Sequence, residues 1–224
     1  MKANQFIGLV KFFRNEDYLD KLIEGCFHCT PPEVYRLDKQ EGISDKFEIC
    51  SFSYRKSRND ADIQLNINGR NLTDVLGLTL HNGQQQDSWM HCWFVLRLPH
   101  NENDLNQLIE DVKKMKCQFG NHYAFIPNSN LKDLIYRLQK NSKLPLAGGE
   151  VKYSGDNSLW GNKCKSLEYS YQREFRFLFG ECSVTEIAPY VVNIENGLSD
   201  LILKDPDLEL TSKDGEQVWF HIRA

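Results

Sequence analysis

The chain has 224 residues, of which 41% are hydrophobic and 26% are charged, and its formal net charge is -4. This composition is that of an ordinary globular chain, requires neither a fibre nor disorder, and allows a sizeable apolar core. Mild acidity argues against broad binding to phosphate backbones, although a local basic channel is compatible with it. Early charges interrupt any signal-peptide core, and no apolar run is long enough for a membrane span. We therefore expect one cytoplasmic domain over residues 1–224.

Hydrophobic periodicity predicts many strands with a few short helices between them. In chain order, the predicted strands cover residues 6–14, 26–30, 47–54, 63–67, 89–98, 122–126, 169–179 and 218–222. The predicted helices carry apolar stripes over residues 18–23, 105–115 and 131–138. Because strands and helices do not alternate regularly, the pattern predicts an α+β fold with mixed, mostly antiparallel sheets and short flanking helices.

Local signals mark where several of these elements begin and end. Asn15 and Asn130 are predicted helix N-caps, and Gly25 is placed to end the first helix in a left-handed conformation. The dipeptide Asn68-Gly69 is typical of a type I′ hairpin turn. We expect the polar segment 33–46 to be an irregular loop, and residues 145–149 to interrupt regular structure.

Residues 169–179 read Y-S-Y-Q-R-E-F-R-F-L-F, and this strict alternation predicts a strand. Such a strand places Gln172, Glu174 and Arg176 on one face and its aromatic side chains on the other. A carboxylate on a stiff, half-buried strand is a candidate catalyst. Its alternative role is structural, as the ion-pair partner of Arg176 or of another arginine.

Several familiar site types lack their full pattern in this sequence. Phosphate-loop and dinucleotide-fold glycine signatures are absent. His91 and Cys92 are neighbours on a strand, so they point to opposite faces and do not form a simple catalytic pair. The segment from Cys26 through His28 to Cys29 resembles half of a zinc site, but the other cysteines are scattered. Reduced, buried cysteines and no metal are the expectation.

The pair Gln172 and Glu174 suits NAD as a substrate. Cleavage of the bond between nicotinamide and ribose builds positive charge on the sugar, which a fixed carboxylate such as Glu174 stabilises. Gln172, two residues before it, can orient the acceptor. Arg14 at a strand end is a candidate clamp for the pyrophosphate, and Ser53 is a candidate hydrogen-bond partner of the glutamate.

The order Arg14, Ser51-Phe52-Ser53 and Gln172-Arg173-Glu174 resembles the arginine, serine and glutamate motif series of the ADP-ribosyltransferase superfamily. The resemblance implies that Arg14 and Ser53 bind NAD and that Glu174 is catalytic. The middle motif departs from the family pattern because it lacks the usual threonine. An ADP-ribosyltransferase-like fold is the corresponding structural expectation.

Four further segments resemble, in order, the landmarks of a widespread bacterial family of uncharacterised function that often lies near phage-defence and toxin loci. They are residues 22–25, 42–48, 89–92 and 171–176. Together the two resemblances imply a toxin-like or phage-defence transferase that uses NAD to modify a macromolecule, either RNA or protein. An antitoxin or inhibitor protein is the implied partner. Tyr35, Arg36, Trp89 and His91 join the candidates for NAD binding, with Tyr35 or Trp89 stacking on nicotinamide.

Two other functions remain open from the sequence. One is a noncatalytic nucleotide- or protein-binding module of a defence or phage system, with the polar strand and loop as a docking surface. The other is a metal-dependent nuclease that uses Asp45, Glu48 and His91. A basic run of Arg55, Lys56 and Arg58 beside Tyr54 is suited to stacking a base and neutralising phosphates; an ordinary exposed turn is the alternative.

Overall fold

The computed structural model describes residues 5–212 and 215–224. The helices are α1 (Glu16–Ile23), α2 (Pro32–Leu37), α3 (Glu102–Phe119) and α4 (Asn128–Asn141). The strands are β1 (Phe6–Phe13), β2 (Cys26–Cys29), β3 (Phe52–Arg55), β4 (Leu65–Ile67), β5 (Arg70–Leu72), β6 (Gly77–Leu80), β7 (Trp89–Arg97), β8 (His122–Pro127), β9 (Leu146–Glu150), β10 (Lys152–Ser154), β11 (Cys164–Ser166), β12 (Glu174–Phe179), β13 (Tyr190–Asn193), β14 (Leu203–Lys204), β15 (Leu208–Thr211) and β16 (Val218–Ile222). Short 3₁₀ helices cover Lys56–Arg58, Asn157–Leu159 and Leu167–Gln172.

A six-stranded sheet in the order β14-β8-β1-β7-β12-β9 forms the centre of the protein. Every neighbouring pair in this sheet is antiparallel. Small two-stranded sheets surround it, of which β10 and β11 are parallel. The prediction of an α+β fold with mostly antiparallel sheets is confirmed. Among the described residues, no helix has both the length and the apolar character that crossing a membrane would require.

Both faces of the central sheet are covered. Successive apolar residues along β1, β7 and β12 point to opposite faces, so each face has its own apolar cluster. One face packs against α1 and α4, and it contributes Leu9, Trp93, Val95, Ala124, Ile126, Phe177 and Phe179. The other face packs against α3 and β16, and it contributes Val10, Phe12, Phe94, Leu96, Tyr123 and Phe125. Buried charged residues lie on this second face, at the β12 side of the sheet. That end of the sheet holds the candidate site.

Several local predictions are confirmed. The side chain of Asn15 accepts a hydrogen bond from the backbone N–H of Asp17 and caps α1. Gly25 follows the end of α1 with a φ of +104°. Asn68 and Gly69 have φ values of +53° and +80° between β4 and β5, as a type I′ turn requires.

Other boundaries differ from the predictions. The predicted loop 33–46 contains α2, which begins at Pro32 because proline suits the first turn of a helix. The predicted strand 47–54 is mostly turns, and regular pairing covers only β3. Helix α4 begins at Asn128, so Asn130 is not its cap, and the Asn130 amide instead donates to the carbonyl oxygen of Leu201. The predicted interruption at 145–149 is the edge strand β9, paired with β12.

The predicted strand 169–179 is only half a strand. Its first part is a 3₁₀ helix that ends at Gln172, and Arg173 turns the chain with a φ of +39°. Strand β12 begins at Glu174 and places Glu174, Arg176 and Leu178 on one face and three phenylalanines on the other. The predicted separation of Glu174 from the aromatic side chains is therefore correct within the strand, but Gln172 reaches the site from a turn.

Candidate functional site

A cluster of five charged side chains lies on the second face of the sheet, beside β12. Glu174 and Arg176 come from β12 and Lys165 from β11, whereas Asp45 and Glu48 come from the turns after α2. Each of the five residues is no more than 8% exposed. Buried charges are costly unless they are paired, so the fold must hold these cations and carboxylates close together. We refer to these five residues as the ionic cluster.

Lys165 lies at the centre of the ionic cluster. Its Nζ is 3.1 Å from Glu48 Oε2, 3.4 Å from Asp45 Oδ2 and 3.5 Å from Glu174 Oε2. Gln172 adds a neutral contact, since its Oε1 accepts a hydrogen bond from the same Nζ at 3.1 Å. Three carboxylates therefore surround one ammonium group. Burial lowers the pKa of Lys165, but Glu48, Glu174 and Asp45 more than offset this and hold the pKa well above its usual value.

Arg176 links two of these carboxylates. Its Nε donates to Glu174 Oε1 at 2.6 Å, and its second terminal nitrogen donates to Glu48 Oε1. Burial alone would raise the pKa of Glu174, yet Arg176 and Lys165 hold that pKa below its usual value. Glu174 is therefore negatively charged across the physiological pH range. A group of this kind can stabilise positive charge but does not act as a general acid.

Asp45 titrates differently from Glu174, although both contact Lys165. Burial and then the neighbouring charge of Glu48 raise the pKa of Asp45 to about 6, against the opposing effect of Lys165. Its Oδ1 accepts a hydrogen bond from the backbone N–H of Phe47 at 2.9 Å, which fixes the turn. Neighbouring carboxylates with separated pKa values are the arrangement from which acid–base roles arise.

Because the pKa of Asp45 is raised in the folded protein, the free energy of unfolding should depend on pH through this residue. Aspartate ordinarily has a pKa of 3.8, whereas Asp45 in the folded protein has a pKa of about 6. The folded state binds this proton more tightly, so ionisation of Asp45 destabilises the fold as the pH rises from about 4 to about 6. Between about pH 3.5 and about pH 7.5, we expect the stability of Asp45→Asn relative to wild type to rise by about 3 kcal/mol. Urea unfolding at both pH values measures the difference.

Asp60→Asn provides a control of opposite sign. The hydrogen bond from Arg58 is the largest effect on Asp60 and lowers its pKa. Stability from Asp60 is therefore present above the usual pKa of aspartate and is lost as the pH falls through its lowered folded pKa. We expect Asp60→Asn to lose stability relative to wild type at neutral pH, with a smaller loss in acid. Parallel pH profiles for Asp45→Asn and wild type would contradict the assignment for Asp45.

A cavity of about 100 Å³ adjoins the ionic cluster. It lies between the second face of the sheet, the last turns of α3 and the segment around Gly42. Its wall is formed by Val10, Lys11, Phe12, Tyr35, Gly42, Ile43, Glu48, Met90, Cys92, Trp93, Phe94, Met115, Phe119, Lys165, Gln172 and Glu174. Aromatic and aliphatic side chains line one side, and charged side chains converge on the other, which is the usual composition of a small-molecule site.

The segment around Gly42 closes one side of the cavity through contacts with the turn before β12. Gln172 Nε2 donates to the carbonyl oxygen of Gly42 at 2.9 Å, and the Tyr169 hydroxyl donates to the carbonyl oxygen of Ser44 at 3.0 Å. Gly42 also lies directly against Gln118 of α3. Gln172 thus joins the ionic cluster to this segment, because its oxygen contacts Lys165 and its nitrogen contacts Gly42.

The structure brings together some of the residues selected from the sequence. Glu174, Gln172 and Tyr35 line the same cavity. Arg14 and Ser53 do not line it. Arg14 is exposed at the end of β1 and donates to the carbonyl oxygen of Gln118. Ser53 is fully buried in β3, where its hydroxyl accepts weak contacts of 3.4 Å from Arg58.

Trp89 and His91 lie away from Glu174. Strand alternation puts both on the first face of the sheet, where His91 stacks on Phe27 with ring centroids 4.0 Å apart. Trp89 Nε1 donates to the carbonyl oxygen of Ala188 at 2.9 Å. Neither side chain lines the cavity beside Glu174. His91 is likewise separated from Asp45 and Glu48, so the proposed nuclease triad does not form.

Arg36 belongs to a second buried set of charges, next to the ionic cluster. Its guanidinium contacts Asp87 Oδ1 at 2.6 Å and the carbonyl oxygen of Glu48 at 2.7 Å. Arg55 pairs with Glu33 through Nε at 2.6 Å. These bonds connect α2, β3 and the turn that carries Glu48. Arg36 therefore supports the backbone of the site and is not placed to bind a ligand in the cavity.

The basic run after Tyr54 does not form an exposed patch. Arg55 is 6% exposed and pairs with Glu33. Arg58 forms an ion pair with Asp60 and donates to the carbonyl oxygen of Ser53. Of the three cations, Lys56 remains exposed. The expected nucleic-acid patch is thus replaced by internal ion pairs that hold the turns together.

The segment from Cys26 to Cys29, which resembles half of a zinc site, does not bring its side chains together in the structure. Cys29 is buried in β2 and His28 is exposed, as alternation on a strand requires. Among the described residues, the one group of three metal-ligating side chains within reach of each other is Glu16, His122 and Asp205. It lies at the start of α1, where Lys204 already pairs with Glu16 at 2.7 Å.

Two cations that line the cavity, Lys11 and Lys165, are not among the residues predicted from the sequence. Lys11 carried a signal, because it is a charged residue within the apolar segment F-I-G-L-V-K-F-F of β1. Lys165 carried none, since it lies in a polar stretch seven residues before Gln172. Only the pairing of β10 with β11 and the 3₁₀ turn that follows bring Lys165 against Glu174.

Comparisons with protein-family models, with curated proteins and with solved structures found no match for this chain. The resemblance to ADP-ribosyltransferases therefore rests on the short motifs quoted above. Of those motifs, the structure places Gln172 and Glu174 at the cavity and keeps Arg14 and Ser53 outside its wall.

Proposed function

We propose that the cavity is the reaction centre of an NAD-dependent ADP-ribosyltransferase that modifies a macromolecule, either RNA or protein. The observation that carries this proposal is the buried carboxylate of Glu174, paired with Arg176 and Lys165, in the wall of a cavity the size of one ring. NAD is proposed as the substrate because the motifs resemble those of ADP-ribosyltransferases. A role as toxin or phage-defence effector, with an inhibitor protein as partner, rests on the second resemblance alone.

The charge state of Glu174 suits this chemistry. When the bond between nicotinamide and ribose breaks, the electron pair leaves with nicotinamide and the ribose carbon becomes positive. A carboxylate already fixed beside that carbon lowers the energy of the transition state without rearranging. Glu174 is 4% exposed and held by Arg176 and Lys165, so its position and its charge are both constrained.

The size of the cavity limits how NAD can bind. A dry cavity of about 150 Å³ is known to hold one benzene ring, and the present cavity of about 100 Å³ is of the same order. The nicotinamide ring would occupy it, and the two phosphates and the adenosine would lie outside. Lys11 and Lys165 are the cations of the cavity wall. The proposal assigns no residue to the pyrophosphate, because Arg14 does not reach this wall and the two lysines lie within it.

Gln172 takes a positioning role in the proposal and does not orient the acceptor. Both atoms of its amide are already engaged, with Lys165 on one side and Gly42 on the other. It therefore holds the closing segment against the cation that contacts Glu174.

Release of nicotinamide from NAD tests the proposal. We expect wild type, incubated with NAD and cell extract, to release nicotinamide and to label a macromolecule. Glu174→Gln should reduce release by about 100-fold, because it removes the charge that stabilises the ribose cation. Nicotinamide is quantified by chromatography, and labelled NAD identifies the acceptor as RNA or protein.

Glu150→Gln is the matched control. Glu150 is an exposed carboxylate on β9, paired with Arg97 outside the cavity, so its loss should leave the release rate unchanged. Circular dichroism checks that each variant is folded. Background release by folded wild type with both classes of acceptor would defeat the enzyme proposal, whatever the behaviour of Glu174→Gln.

A noncatalytic binding module is the second candidate, and the pairing of Glu174 favours it. Both carboxylate oxygens already accept hydrogen bonds or ion pairs, from Arg176 at 2.6 Å and from Lys165 at 3.5 Å. Such pairing reduces the attraction left for a ribose cation. Saturable binding of a ligand in the cavity without nicotinamide release is the outcome that selects this candidate.

A further inference from the structure

We propose that Lys11 binds a small aliphatic aldehyde in the cavity covalently, as an imine. The nitrogen of the neutral amine adds to the carbonyl carbon, and the carbonyl oxygen leaves as water with both hydrogens of the amine. Hydrolysis reverses the step, so it consumes no oxidant or reductant. The inference goes beyond the transferase proposal and does not depend on it, because imine formation involves neither NAD nor Glu174.

Lys11 lies where two strands of the central sheet separate. β1 and β7 pair only as far as Val10 and Phe94, whereas β1 continues along β8 to Phe13. The half-buried side chain of Lys11 follows directly after this last pair and forms part of the cavity wall. A ligand in the cavity therefore contacts this side chain.

Little around Lys11 stabilises a positive charge. Its Nζ donates to the carbonyl oxygen of Cys92 at 2.9 Å, and the ring centroid of Phe13, 5.9 Å away, is at the limit of a cation–π contact. Among the residues that the structure describes, no carboxylate forms an ion pair with Lys11. A neutral amine keeps the bond to the Cys92 carbonyl, because it still carries N–H groups, and its lone pair is then free for a carbonyl carbon.

Burial favours the neutral amine of Lys11. It lowers the pKa of Lys11, and nearby acidic groups, first Cys92 and then Glu174 and Cys29, oppose this only in part. The titratable groups that interact with Lys11 lie on three strands, and they are Cys29 and His28 of β2, Cys92 and His91 of β7, and Glu174 of β12. On β8, the partner of Lys11 is the uncharged Ala124. A larger fraction of neutral amine at neutral pH makes a lysine a better nucleophile.

Lys165 provides an internal comparison, because it lines the same cavity but is ion-paired. Burial lowers the pKa of Lys165, but Glu48, Glu174 and Asp45 hold that pKa well above its usual value. All three carboxylates lie within 3.5 Å of its Nζ. Lys165 therefore stays protonated and does not attack a carbonyl group. The cavity thus holds one lysine that is suited to imine formation and one that is not.

The cavity restricts the aldehyde to a short apolar chain. A volume of about 100 Å³ is of the size of one six-membered ring, so it admits a short unbranched chain. Phe12, Phe94, Phe119 and Met115 line the cavity, and such side chains favour an apolar body on the carbonyl carbon. Butanal meets both conditions and is the probe of choice.

Reductive trapping with butanal and cyanoborohydride tests the inference on the full-length protein. Hydride from cyanoborohydride reduces the imine to a stable secondary amine, and peptide mapping by mass spectrometry then identifies the lysine that formed it. At about pH 7, we expect Lys11 to be labelled at least about tenfold faster than Lys165 or the exposed Lys140. The advantage over Lys140 should shrink toward about pH 10, because an exposed lysine then also loses its proton. Labelling of Lys11 no faster than that of Lys140 at about pH 7 would overturn the proposal.

Two further measurements on wild type show whether Lys11 reacts inside the cavity. Its labelling rate should saturate as the butanal concentration rises, whereas the rate for Lys140 should stay proportional to it. Excess 1-butanol, which has the same chain but no carbonyl group, should slow the labelling of Lys11 and leave Lys140 unchanged. A linear rate for Lys11 that the alcohol does not slow would place the reaction outside the cavity and defeat the proposal.

Lys11→Arg is the matched variant, because arginine keeps a positive charge and donors for the Cys92 carbonyl but forms no imine under these conditions. With butanal below one equivalent, we expect the yield of singly labelled protein to fall to the level set by exposed lysines. An unchanged yield in a variant that melts like wild type would contradict the assignment to Lys11. If the variant does not fold, the wild-type labelling map still decides.

Discussion

Replacing Arg176 by methionine is expected to lower the free energy of unfolding by about 3–5 kcal/mol. The guanidinium is 1% exposed and bridges Glu174 and Glu48. Methionine has a similar length but no charge, so it leaves two buried carboxylates with Lys165 as their remaining cation. Removal of one partner from a buried ion pair is costly because the other charge stays out of water. Unfolding in guanidinium chloride, monitored by tryptophan fluorescence, measures the loss.

Arg173→Met is the matched control for this prediction. Arg173 precedes β12 and pairs with Asp111 at 2.7 Å, but its side chain is 28% exposed. Asp111 is itself buried, but it keeps a hydrogen bond from Gln107 at 2.8 Å. Because one carboxylate loses one partly exposed partner, we expect a smaller loss, of about 1–2 kcal/mol. Adding Glu174→Gln to Arg176→Met should recover part of the stability, since fewer unpaired charges remain. Equal losses for Arg173→Met and Arg176→Met would contradict the description of the ionic cluster as a buried, coupled set.

Gly42→Ala is expected to destabilise the protein by about 3 kcal/mol and to weaken binding in the cavity. Gly42 has a φ of +81°, and a Cβ at this position would lie 2.3 Å from Gln118 Oε1. Gln118 cannot swing away freely, because it is 8% exposed and its oxygen accepts a hydrogen bond from the Tyr171 hydroxyl at 2.7 Å. Relief of the clash therefore moves the Gly42 segment off the cavity.

Gly69→Ala isolates the contribution of the backbone conformation. Gly69 has almost the same φ, +80°, but no atom lies within 4 Å of an added Cβ. It should cost about 1 kcal/mol, the usual penalty of a left-handed conformation, and leave ligand binding unchanged. Thermal unfolding and nicotinamide release from NAD, measured for both variants, make the comparison. Equal effects on both readouts would show that Gln118 does not hold the Gly42 segment in place.

The elements with strong local signals were predicted well. Strand β7 reads as an apolar run because both faces of the sheet are covered there, and it was expected at nearly its observed position. The cap at Asn15 and the turn at Asn68-Gly69 follow from side-chain chemistry within two residues. Such signals depend on the backbone nearby and not on distant parts of the chain.

Elements that depend on distant pairing were predicted poorly. β9 contains two glycines in the segment L-A-G-G-E, so it resembles a loop, yet hydrogen bonds to β12 make it an edge strand. At 169–172 the period-two alternation continues, but the chain is helical there because Arg173 turns it into β12. Periodicity does not reveal where a strand starts when the preceding turn happens to carry the same pattern.

The residues of the candidate site also fall into two groups, those that local sequence predicts and those that distant pairing brings together. The sequence by itself determined that Glu174 and Arg176 share a strand face opposite a row of phenylalanines, because alternation is a property of the extended backbone. It also determined that the fold is α+β, from the spacing of its apolar segments. Only the tertiary structure decided that Lys165, Asp45 and Glu48 surround Glu174, and that Trp89, His91, Arg14 and Ser53 do not. Asp45 and Glu48 lie more than a hundred positions before Glu174, so their contacts depend on the order of the strands, which no local pattern encodes. Lys165 is nine positions before Glu174 and reaches it through the 3₁₀ turn between them. Burial then decides which charges must be paired.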